Sequence, residues 1–251
     1  MNKNILLILA SGKSSRLGGF PKAFCKLNQN VVAQNTINCA CNMYDKIYMA
    51  VSKEIYPEYK NKVNGCNMFD IITGRGDAHS LLRALYHIAS CEQKIDKITV
   101  CWGDAVFTDD YIFRKTIEFG DVMDENTVGI AVCAIDEHPY AWFDVIGNDI
   151  CCSYFAKEEG DILKGIHDQS IFIFKFDLII RYLEKYKESM HISDNEKWMP
   201  DNSREMKLMD SFTFFYKNGM LPMQYCLIDS GKVFSFNTEK ELNEIKGLIN
   251  Q

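Results

Sequence analysis

The chain lacks any long hydrophobic run and any excess of positive charge, and each absence excludes a class of function. Of its 251 residues, 28 are Lys or Arg and 34 are Asp or Glu, which gives a formal net charge of −6 at pH 7. A negative net charge provides no general attraction to nucleic acid or to an anionic membrane surface. No apolar stretch approaches the roughly 20 residues of a transmembrane helix, and the run at residues 4–9 is too short for a secretory signal. We therefore expect a cytoplasmic protein that binds neither nucleic acid nor membranes.

The sequence also has no internal repeat, no low-complexity tract and no linker rich in Pro, Gly or Ser. Its length and its hydrophobic content of 47 % suit a single α/β unit with an insertion. The ten cysteines lie mostly in apolar or periodic stretches, which is typical of small core residues in a reducing compartment. Only Cys39-x-Cys41 and Cys151-Cys152 would support zinc, and their spacings fit a structural zinc site poorly. We therefore predict one domain over residues 1–251, without disulfides or zinc.

Strand-like runs alternate with helical patterns through the first half of the chain. The predicted strands cover residues 4–9, 46–51, 68–72 and 98–102. The predicted helices cover residues 31–43, 53–62, 77–89 and 109–119, and Asp77 is a suitable N-cap for the third of them. This βαβα order predicts a parallel sheet with helices on both faces.

After residue 127 the pattern changes to strand-like segments with few helices between them. These strands are predicted at residues 128–135, 142–146, 150–155, 170–176, 221–228 and 232–236. Helices are predicted at residues 177–187 and 238–249, the second of which begins with a Thr238–Glu241 capping box. Residues 189–204 are polar and suit a flexible loop or a partner contact. The second half therefore predicts an antiparallel extension of the sheet.

The segment after the first strand, residues 9–22 (LASGKSSRLGGFPK), has the composition of an anion site. It combines three glycines with three cations, namely Gly12, Gly18, Gly19, Lys13, Arg16 and Lys22. Glycine lets a backbone approach a ligand closely, and free N–H groups with fixed cations suit a polyphosphate. Open α/β sheets bind ligands at the carboxyl ends of their strands, where this loop lies. The spacing matches neither the Rossmann fingerprint nor a P-loop, and an ordinary solvated loop is the alternative.

Asp104 follows the buried strand at residues 98–102, within VCWGD. A carboxylate at the end of a buried strand is costly without a cation. A single Asp beside a Gly suits Mg²⁺ that also takes phosphate oxygens and waters. A glycosyltransferase on a related sheet would need a D-x-D here, and WGDAVF has only one Asp. The histidines form no arrangement with Ser or Cys that would favour nucleophilic catalysis.

Four segments in order resemble the sugar nucleotidyltransferases (nucleoside-diphosphate-sugar pyrophosphorylases). The first loop is similar to their L-A-x-G-x-x-x-R-(several)-P-K signature. The other three are residues 72–85 (ITGRGDAHSLLRAL), 98–107 (ITVCWGDAVF) and 234–242 (FSFNTEKEL). The resemblance implies a Rossmann-like GT-A nucleotidyltransferase fold, with a mainly parallel central sheet and a small antiparallel extension that binds the acceptor. It places a nucleotide-binding half at residues 1–126 and an acceptor-binding half at residues 127–251.

The reaction implied by this resemblance is attack of a substrate phosphate on the α-phosphorus of a nucleoside triphosphate, with release of pyrophosphate and with Mg²⁺ as cofactor. Because the nucleophile is already an anion, the enzyme must supply alignment and charge neutralisation rather than a general base. CTP is favoured, since small stand-alone members are often cytidylyltransferases. A UTP-dependent sugar-1-phosphate uridyltransferase and a non-catalytic nucleotide-binding module are the alternatives. Homo-oligomerisation is left open.

The resemblance also assigns residues to the site. Arg16 would contact the leaving pyrophosphate, and Lys22 would contact the reacting phosphates. Asp104 and Asn237 would hold the metal, although Asn237 is also a plausible helix cap. The residues expected to bind the nucleotide are Leu9, Ala10, Ser11, Gly12, Lys13, Gly76, Asp77, Trp102 and Gly103. His79 is expected to pack or to form a hydrogen bond rather than to act as an acid or base.

The acceptor half departs from the family pattern. The residues expected to bind the acceptor are Tyr140, Ala141, Trp142, Lys157 and Asp168. Ala141 and Trp142 replace the Gly-Arg of a Y-G-R segment, and Asp168 replaces the Asn of N-T-G-I. An ionised Asp cannot donate a hydrogen bond, so it favours an acceptor that carries hydroxyl, amide or amine donors. We therefore expect a small or nitrogen-bearing phosphate rather than glucose-1-phosphate or N-acetylglucosamine-1-phosphate.

Overall fold

The computed structural model of the protein describes residues 3–12, 19–197 and 205–249. Within these residues the strands are β1 (Ile5–Ala10), β2 (Lys26–Leu27), β3 (Asn30–Val31), β4 (Lys46–Ser52), β5 (Asn67–Ile71), β6 (Lys97–Trp102), β7 (Val106–Phe107), β8 (Gly129–Glu137), β9 (Ala141–Ile146), β10 (Asp149–Phe155), β11 (Lys164–Lys175), β12 (Met223–Leu227) and β13 (Val233–Phe234). The helices in the same residues are α1 (Val32–Ala40), α2 (Tyr56–Tyr59), α3 (Asp77–Cys91), α4 (Tyr111–Asp121), α5 (Ala156–Glu159), α6 (Phe176–Ser189), α7 (Leu208–Lys217) and α8 (Glu239–Ile249).

Nine strands form one mixed sheet in the order β5–β4–β1–β6–β11–β8–β12–β10–β9. The first four strands of this order are parallel, as the βαβα pattern predicts. Strand β1 is buried along its whole length, because alternate residues enter hydrophobic cores on opposite faces of the sheet. Ile5, Leu7 and Leu9 enter one core, and Leu6, Ile8 and Ala10 enter the other. Burial on both faces is the reason why this strand reads as an unbroken apolar run.

The predicted antiparallel extension is confirmed except that β12 runs parallel to β8, and the extension joins the parallel strands directly. Strand β11 runs antiparallel to both β6 and β8, and β9, β10 and β12 follow at the far side of the sheet. Strand β9 also pairs with β11 through Phe143 and Ile166, so five strands form a closed circuit of pairings. The extension therefore begins beside β6, at the edge where Asp104 follows.

Two details of the predicted elements are wrong. Residues 208–217 form α7, which the sequence analysis does not predict. Asp77 is the first residue of α3, and Gly76 holds the N-cap position with φ 110°. The capping box of α8 is confirmed, since Thr238 N donates to Glu241 Oε2 at 3.3 Å and Glu241 N donates to Thr238 Oγ1 at 3.2 Å.

A buried carboxylate, Glu92, binds side chains at the amino ends of β1 and β4. Glu92 is almost fully buried and accepts hydrogen bonds from Lys3 at 2.7 Å, from Lys46, and from Tyr48 at 2.5 Å. These three donors hold the pKa of Glu92 at about 2. The cluster stabilises the amino ends of β1 and β4.

Two findings concern the environment of the chain. No helix in the described ranges is both long and apolar enough to cross a bilayer. The ten cysteines, all of which the structure describes, are free thiols.

Candidate active site

Lys22, Asp104 and Asn237 come together although the sequence separates them widely. Lys22 Nζ lies 2.9 Å from Asp104 Oδ2 and 3.1 Å from Asn237 Oδ1. Lys22 begins the short 3-10 turn after Pro21, Asp104 follows β6, and Asn237 precedes α8. We call these three residues the cation cluster.

A small two-stranded ladder brings the two oxygen-bearing residues of the cation cluster together. Strands β7 and β13 are antiparallel, with Phe107 opposite Val233 and Val106 opposite Phe234. The chain leaving Asp104 therefore runs beside the chain approaching Asn237. Fully buried Phe236 packs into a small apolar cluster with Val106, and its ring centroid lies 5.7 Å from Lys22 Nζ. This packing fixes the position of Asn237.

The donor set of the cation cluster fits a hard divalent cation. A carboxylate oxygen and an amide oxygen point at the same positive charge, and Mg²⁺ prefers such oxygen ligands. The Asp104 side chain is 39 % exposed, whereas that of Lys22 is 16 % exposed, so the carboxylate is open to ligands from solvent. Elsewhere among the described residues, no group of three or more His, Cys, Asp or Glu could hold a metal ion. Asp104 and Asn237 would hold Mg²⁺, which would complete its shell with phosphate oxygens and waters.

The predicted nucleotide residues of β1 and β6 lie side by side at the carboxyl ends of these strands. Gly103 N donates to Leu9 O at 2.9 Å. A Cβ on Gly103 would lie 2.5 Å from Ala10 Cβ, so only glycine permits this approach. Buried Ser11 accepts a hydrogen bond from Thr73 Oγ1 at its carbonyl oxygen, at 3.2 Å. The carboxyl ends of β1 and β6 are thus in direct contact.

Of the remaining predicted nucleotide and catalytic residues, the structure describes Gly12 and Trp102. Gly12 is exposed beyond β1, and half-buried Trp102 meets the Phe172 ring edge-on at 5.5 Å. Lys13 and Arg16 lie outside the described residues, and their roles stay predictions.

The loop at residues 73–77 is held by the first turn of α3. Gly74 N donates to Ser80 Oγ at 2.9 Å, and Arg75 N donates to His79 Nδ1 at 3.2 Å. Burial lowers the pKa of His79 to about 4, so the ring is neutral and its Nδ1 can accept this bond. His79 is therefore placed to position the loop through a hydrogen bond.

The structure places the Asp77 carboxylate against main chain. Its Oδ1 accepts hydrogen bonds from Ala78 N at 2.7 Å and from Leu208 N at 2.8 Å. Burial raises the pKa of Asp77 to about 7, although both hydrogen bonds act in the opposite direction. The predicted nucleotide contacts of Gly76 and Asp77 stay predictions.

The predicted acceptor residues differ in their exposure. Tyr140 is exposed, whereas Ala141 and Trp142 are buried on β9. The Trp142 ring stacks on Tyr154 of β10 at 5.7 Å. Lys157 is exposed on the short helix α5. Of the two predicted aromatic acceptor residues, Tyr140 is therefore open to solvent, whereas the Trp142 ring is covered.

Asp168 lies at the same edge of the sheet as the cation cluster. Strand β11 places Ile171 opposite Cys101 of β6, so the residues before Ile171 lie beyond the end of β6. Asp168 is 6 % exposed, and its Oδ1 accepts a hydrogen bond from Ser170 N at 2.9 Å. Ser170 has φ 59°, and this bond stabilises its left-handed conformation, which an L side chain rarely adopts.

A second carboxylate stands near Asp168. Asp136 Oδ2 accepts a hydrogen bond from Gln169 Nε2 at 3.1 Å and lies 3.3 Å from His167 Nδ1. Burial opposes a charge on His167, but Asp136 and Asp168 outweigh it and raise the pKa of the ring. Asp136 and Asp168 therefore stabilise a positive charge on His167.

The sequence analysis misses Lys207, whose side chain contacts the end of β10 and the short helix α5. Its Nζ lies 3.9 Å from the centroid of the Phe155 ring and 2.5 Å from Glu158 Oε1. Lys207 precedes α7, and the helical spacing of the buried residues Leu208, Phe212 and Phe215 is the signal that could have located this helix.

Comparison with solved structures confirms the fold. The inositol-1-phosphate CTP transferase from T. maritima is 15 % identical with a TM-score of 0.71, covering 100 % of this chain and 96 % of that chain. A protein assigned as a glucose-1-phosphate thymidylyltransferase from Bacillus anthracis is 16 % identical with a TM-score of 0.68, covering 99 % and 95 %. The 4-diphosphocytidyl-2C-methyl-D-erythritol synthase from Anaerococcus prevotii is 12 % identical with a TM-score of 0.65, covering 100 % and 99 %. Identities this low show a shared fold alone.

Sequence comparison identifies the family. No curated protein matches the chain. The profile of the MobA-like NTP transferase domain matches residues 6–161, which is more than half of the chain and includes the Gly-rich loop, loop 73–77 and Asp104. A nucleotidyltransferase fold, a cation cluster at the strand ends and this match agree, and the chain belongs to the MobA-like NTP transferase domain family.

Proposed function

We propose that the protein transfers a nucleoside monophosphate from a pyrimidine nucleoside triphosphate, with CTP favoured, to a small phosphorylated acceptor. Family membership makes the chain an NTP-dependent transferase; the base, the acceptor, the metal and the residues are our proposals. The observation that carries the metal and the residue assignments is the cation cluster, in which Asp104 and Asn237 oxygens converge within 3.1 Å of one ammonium group.

In the proposed reaction an oxygen of the acceptor phosphate forms a bond to the α-phosphorus of the triphosphate. The bond from that phosphorus to the oxygen bridging to the β-phosphate breaks, and pyrophosphate leaves with the bonding electrons. No proton is removed from the nucleophile, so the residues need only align the phosphates and neutralise their charge. Asp104 and Asn237 hold Mg²⁺, which when bound neutralises phosphate charge.

Lys22 and the strand ends have separate tasks in this proposal. Lys22 donates to the reacting phosphates, and its position beside Asp104 in the free protein keeps its charge within reach of them. Arg16 contacts the pyrophosphate that leaves. The nucleotide binds at the carboxyl ends of β1 and β6, which lie in contact because Gly103 has no side chain to separate them.

Solved structures of the same fold support the preference for CTP. Two proteins of the same fold are named for cytidine nucleotides, the inositol-1-phosphate CTP transferase and the 4-diphosphocytidyl-2C-methyl-D-erythritol synthase. A third is named for thymidylyl transfer. All three names specify a pyrimidine, and UTP is our second candidate.

The acceptor we propose is a small phosphate that carries an amine, such as an amino-alcohol or amino-acid phosphate. Asp136 and Asp168 raise the pKa of His167, so the same edge of the sheet favours a cationic or hydrogen-bond-donating group. Tyr140 lies next to the Phe155 ring at 6.4 Å, and exposed aromatic rings also attract cations. An amino-alcohol phosphate satisfies both features.

Pyrophosphate release measured with each of CTP, UTP, dTTP, ATP and GTP tests the proposal. The acceptors would be phosphoethanolamine, phosphocholine, phosphoserine, inositol-1-phosphate, glucose-1-phosphate and N-acetylglucosamine-1-phosphate, with reactions lacking acceptor as controls. We expect CTP with a nitrogen-bearing phosphate to be the fastest pair. A tenfold preference for N-acetylglucosamine-1-phosphate, about 1.4 kcal/mol, would contradict our acceptor assignment, and a purine preference would contradict the assignment of the base.

A further inference from the structure

Loop 73–77 is joined to the segment that begins α7 by a set of main-chain hydrogen bonds. Met206 N donates to Arg75 O at 2.6 Å, and Ala78 N donates to Met206 O at 3.0 Å. Asp77 continues this set with its side chain, which accepts the Leu208 N–H at 2.8 Å. The two segments are 131 residues apart in the chain at the Asp77–Leu208 contact.

The close approach of these segments depends on Gly76. Its φ of 110° belongs to a region that L side chains rarely adopt. A Cβ at this position would lie 2.4 Å from Met206 O and 2.7 Å from Met206 N. The glycine at position 76 therefore allows the Met206 backbone to pack directly against loop 73–77.

Helix α7 carries this contact to β10, where Tyr154 and Phe155 lie opposite the predicted acceptor residues Trp142 and Ala141 of β9. Thr213 Oγ1 accepts the Ser153 N–H at 2.9 Å, and Ser153 Oγ donates to Asp210 Oδ1 at 3.3 Å. Ser153 directly precedes Tyr154 and Phe155 on β10. A displacement of loop 73–77 would therefore move the start of α7, and α7 would move β10.

We propose that Asp77 is a positioning residue that couples loop 73–77 through α7 to β10, and through β10 to the acceptor residues of the neighbouring strand β9. This inference rests on the proposed function, because it takes loop 73–77 as a nucleotide contact and Ala141 and Trp142 of β9 as acceptor contacts. An acid serves here because one carboxylate oxygen can accept both the Ala78 and the Leu208 N–H groups. Asn keeps an oxygen acceptor at this position, whereas Ala removes it.

Amide hydrogen exchange, measured with and without α,β-methylene-CTP and MgCl₂, tests the coupling in the absence of an acceptor. The same measurement is made with the corresponding UTP analogue. In the wild type we expect the analogue to slow exchange both in loop 73–77 and in β10. In Asp77→Ala we expect the slowing in β10 to be lost even at analogue concentrations that saturate the variant, as judged from its own dissociation constant by calorimetry. Asp77→Asn should retain the slowing in β10.

The matched control is Asp109→Ala, because Asp109 also accepts a main-chain N–H at a helix start, that of Tyr111 at 2.9 Å, but does not contact α7. It should behave as the wild type. If Asp77→Ala fails to fold, Thr213→Val interrupts the same path at Ser153 and should also abolish the effect in β10.

Three results would overturn the inference. The first is that the analogue still slows hydrogen exchange in β10 of Asp77→Ala or of Thr213→Val. The second is that the analogue binds the wild type but does not slow exchange in β10. The third is that Asp109→Ala loses the slowing in β10. If neither analogue binds the wild type at all, the proposed function fails and the inference falls with it.

Discussion

Replacing Asp104 by Asn separates the catalytic from the structural contribution of the cation cluster. The substitution keeps the size of the side chain and an oxygen that can accept from Lys22, but removes the negative charge. Loss of one central electrostatic stabiliser typically costs about 3–4 kcal/mol of activation free energy, or roughly 10²–10³-fold in rate. We therefore expect kcat to fall at least about 100-fold at saturating Mg²⁺ and CTP.

The same substitution should cost little stability. The Asp104 side chain is 39 % exposed and pairs with Lys22 at 2.9 Å, and an ion pair open to solvent contributes about 0–1 kcal/mol. For a chain of this size, 1 kcal/mol shifts Tm by roughly 2–4 °C. Differential scanning fluorimetry should therefore show a shift of no more than about 4 °C.

Asp109→Asn provides the matched control for this experiment. Asp109 pairs with Lys232 at 3.0 Å, and its side chain is 41 % exposed, so it resembles Asp104 in exposure and in partner type. It lies outside the cation cluster, and its variant should keep near-normal pyrophosphate release. Near-normal kcat in Asp104→Asn, or an equal loss in both variants, would refute the metal assignment of Asp104.

Three further predictions follow from other positions. Lys22→Met should reduce kcat at least about 100-fold and should tighten Mn²⁺ binding to the nucleotide-free protein, because the ammonium competes for the metal's oxygens; weaker Mn²⁺ binding by electron paramagnetic resonance would oppose this. Gly103→Ala should cost about 1–3 kcal/mol of unfolding free energy and raise KM for the triphosphate, since its Cβ would lie 2.5 Å from Ala10 Cβ. An unchanged KM would contradict the assignment of Gly103 to nucleotide binding. Glu92→Gln should leave kcat unchanged and cost about 1.5–3 kcal/mol at pH 7. The pKa of Glu92 is depressed to about 2 from 4.5, so its contribution is present above about pH 4.5 and is lost as pH falls toward 2. Urea unfolding of both proteins across this range should show their difference shrinking on acidification, and a constant difference would contradict the assigned partners.

The parallel half of the fold is accessible from sequence because its strands are buried on both faces. Strands β1, β4 and β6 read as short apolar runs bounded by polar or Gly-containing segments, and the structure finds them within a residue or two of their predicted limits. The convergence of Asp104 and Asn237 was also expected, since both follow from motif positions. What the motifs did not contain is the ladder of β7 and β13 that brings these residues together.

The link between the halves could not be predicted from local patterns. Helix α7 contains FTFF, whose aromatic and β-branched residues are typical of strands, and burial against β10 overrides that preference. The contact of Asp77 with Leu208 could not be predicted either, because the two residues are 131 positions apart. The sequence around an acid at a helix start does not show whether its carboxylate accepts a second hydrogen bond. Tertiary hydrogen bonds of this kind leave no periodic signal.

The most direct test of the account is a crystal structure with CTP and Mn²⁺, in which anomalous scattering locates the metal. The account predicts one Mn²⁺ ion that is coordinated by a carboxylate oxygen of Asp104 and by Asn237 Oδ1. It also predicts that Lys22 Nζ leaves these oxygens and contacts the triphosphate, which binds at the carboxyl ends of β1 and β6. A metal bound elsewhere, or a triphosphate out of reach of Lys22, would contradict it.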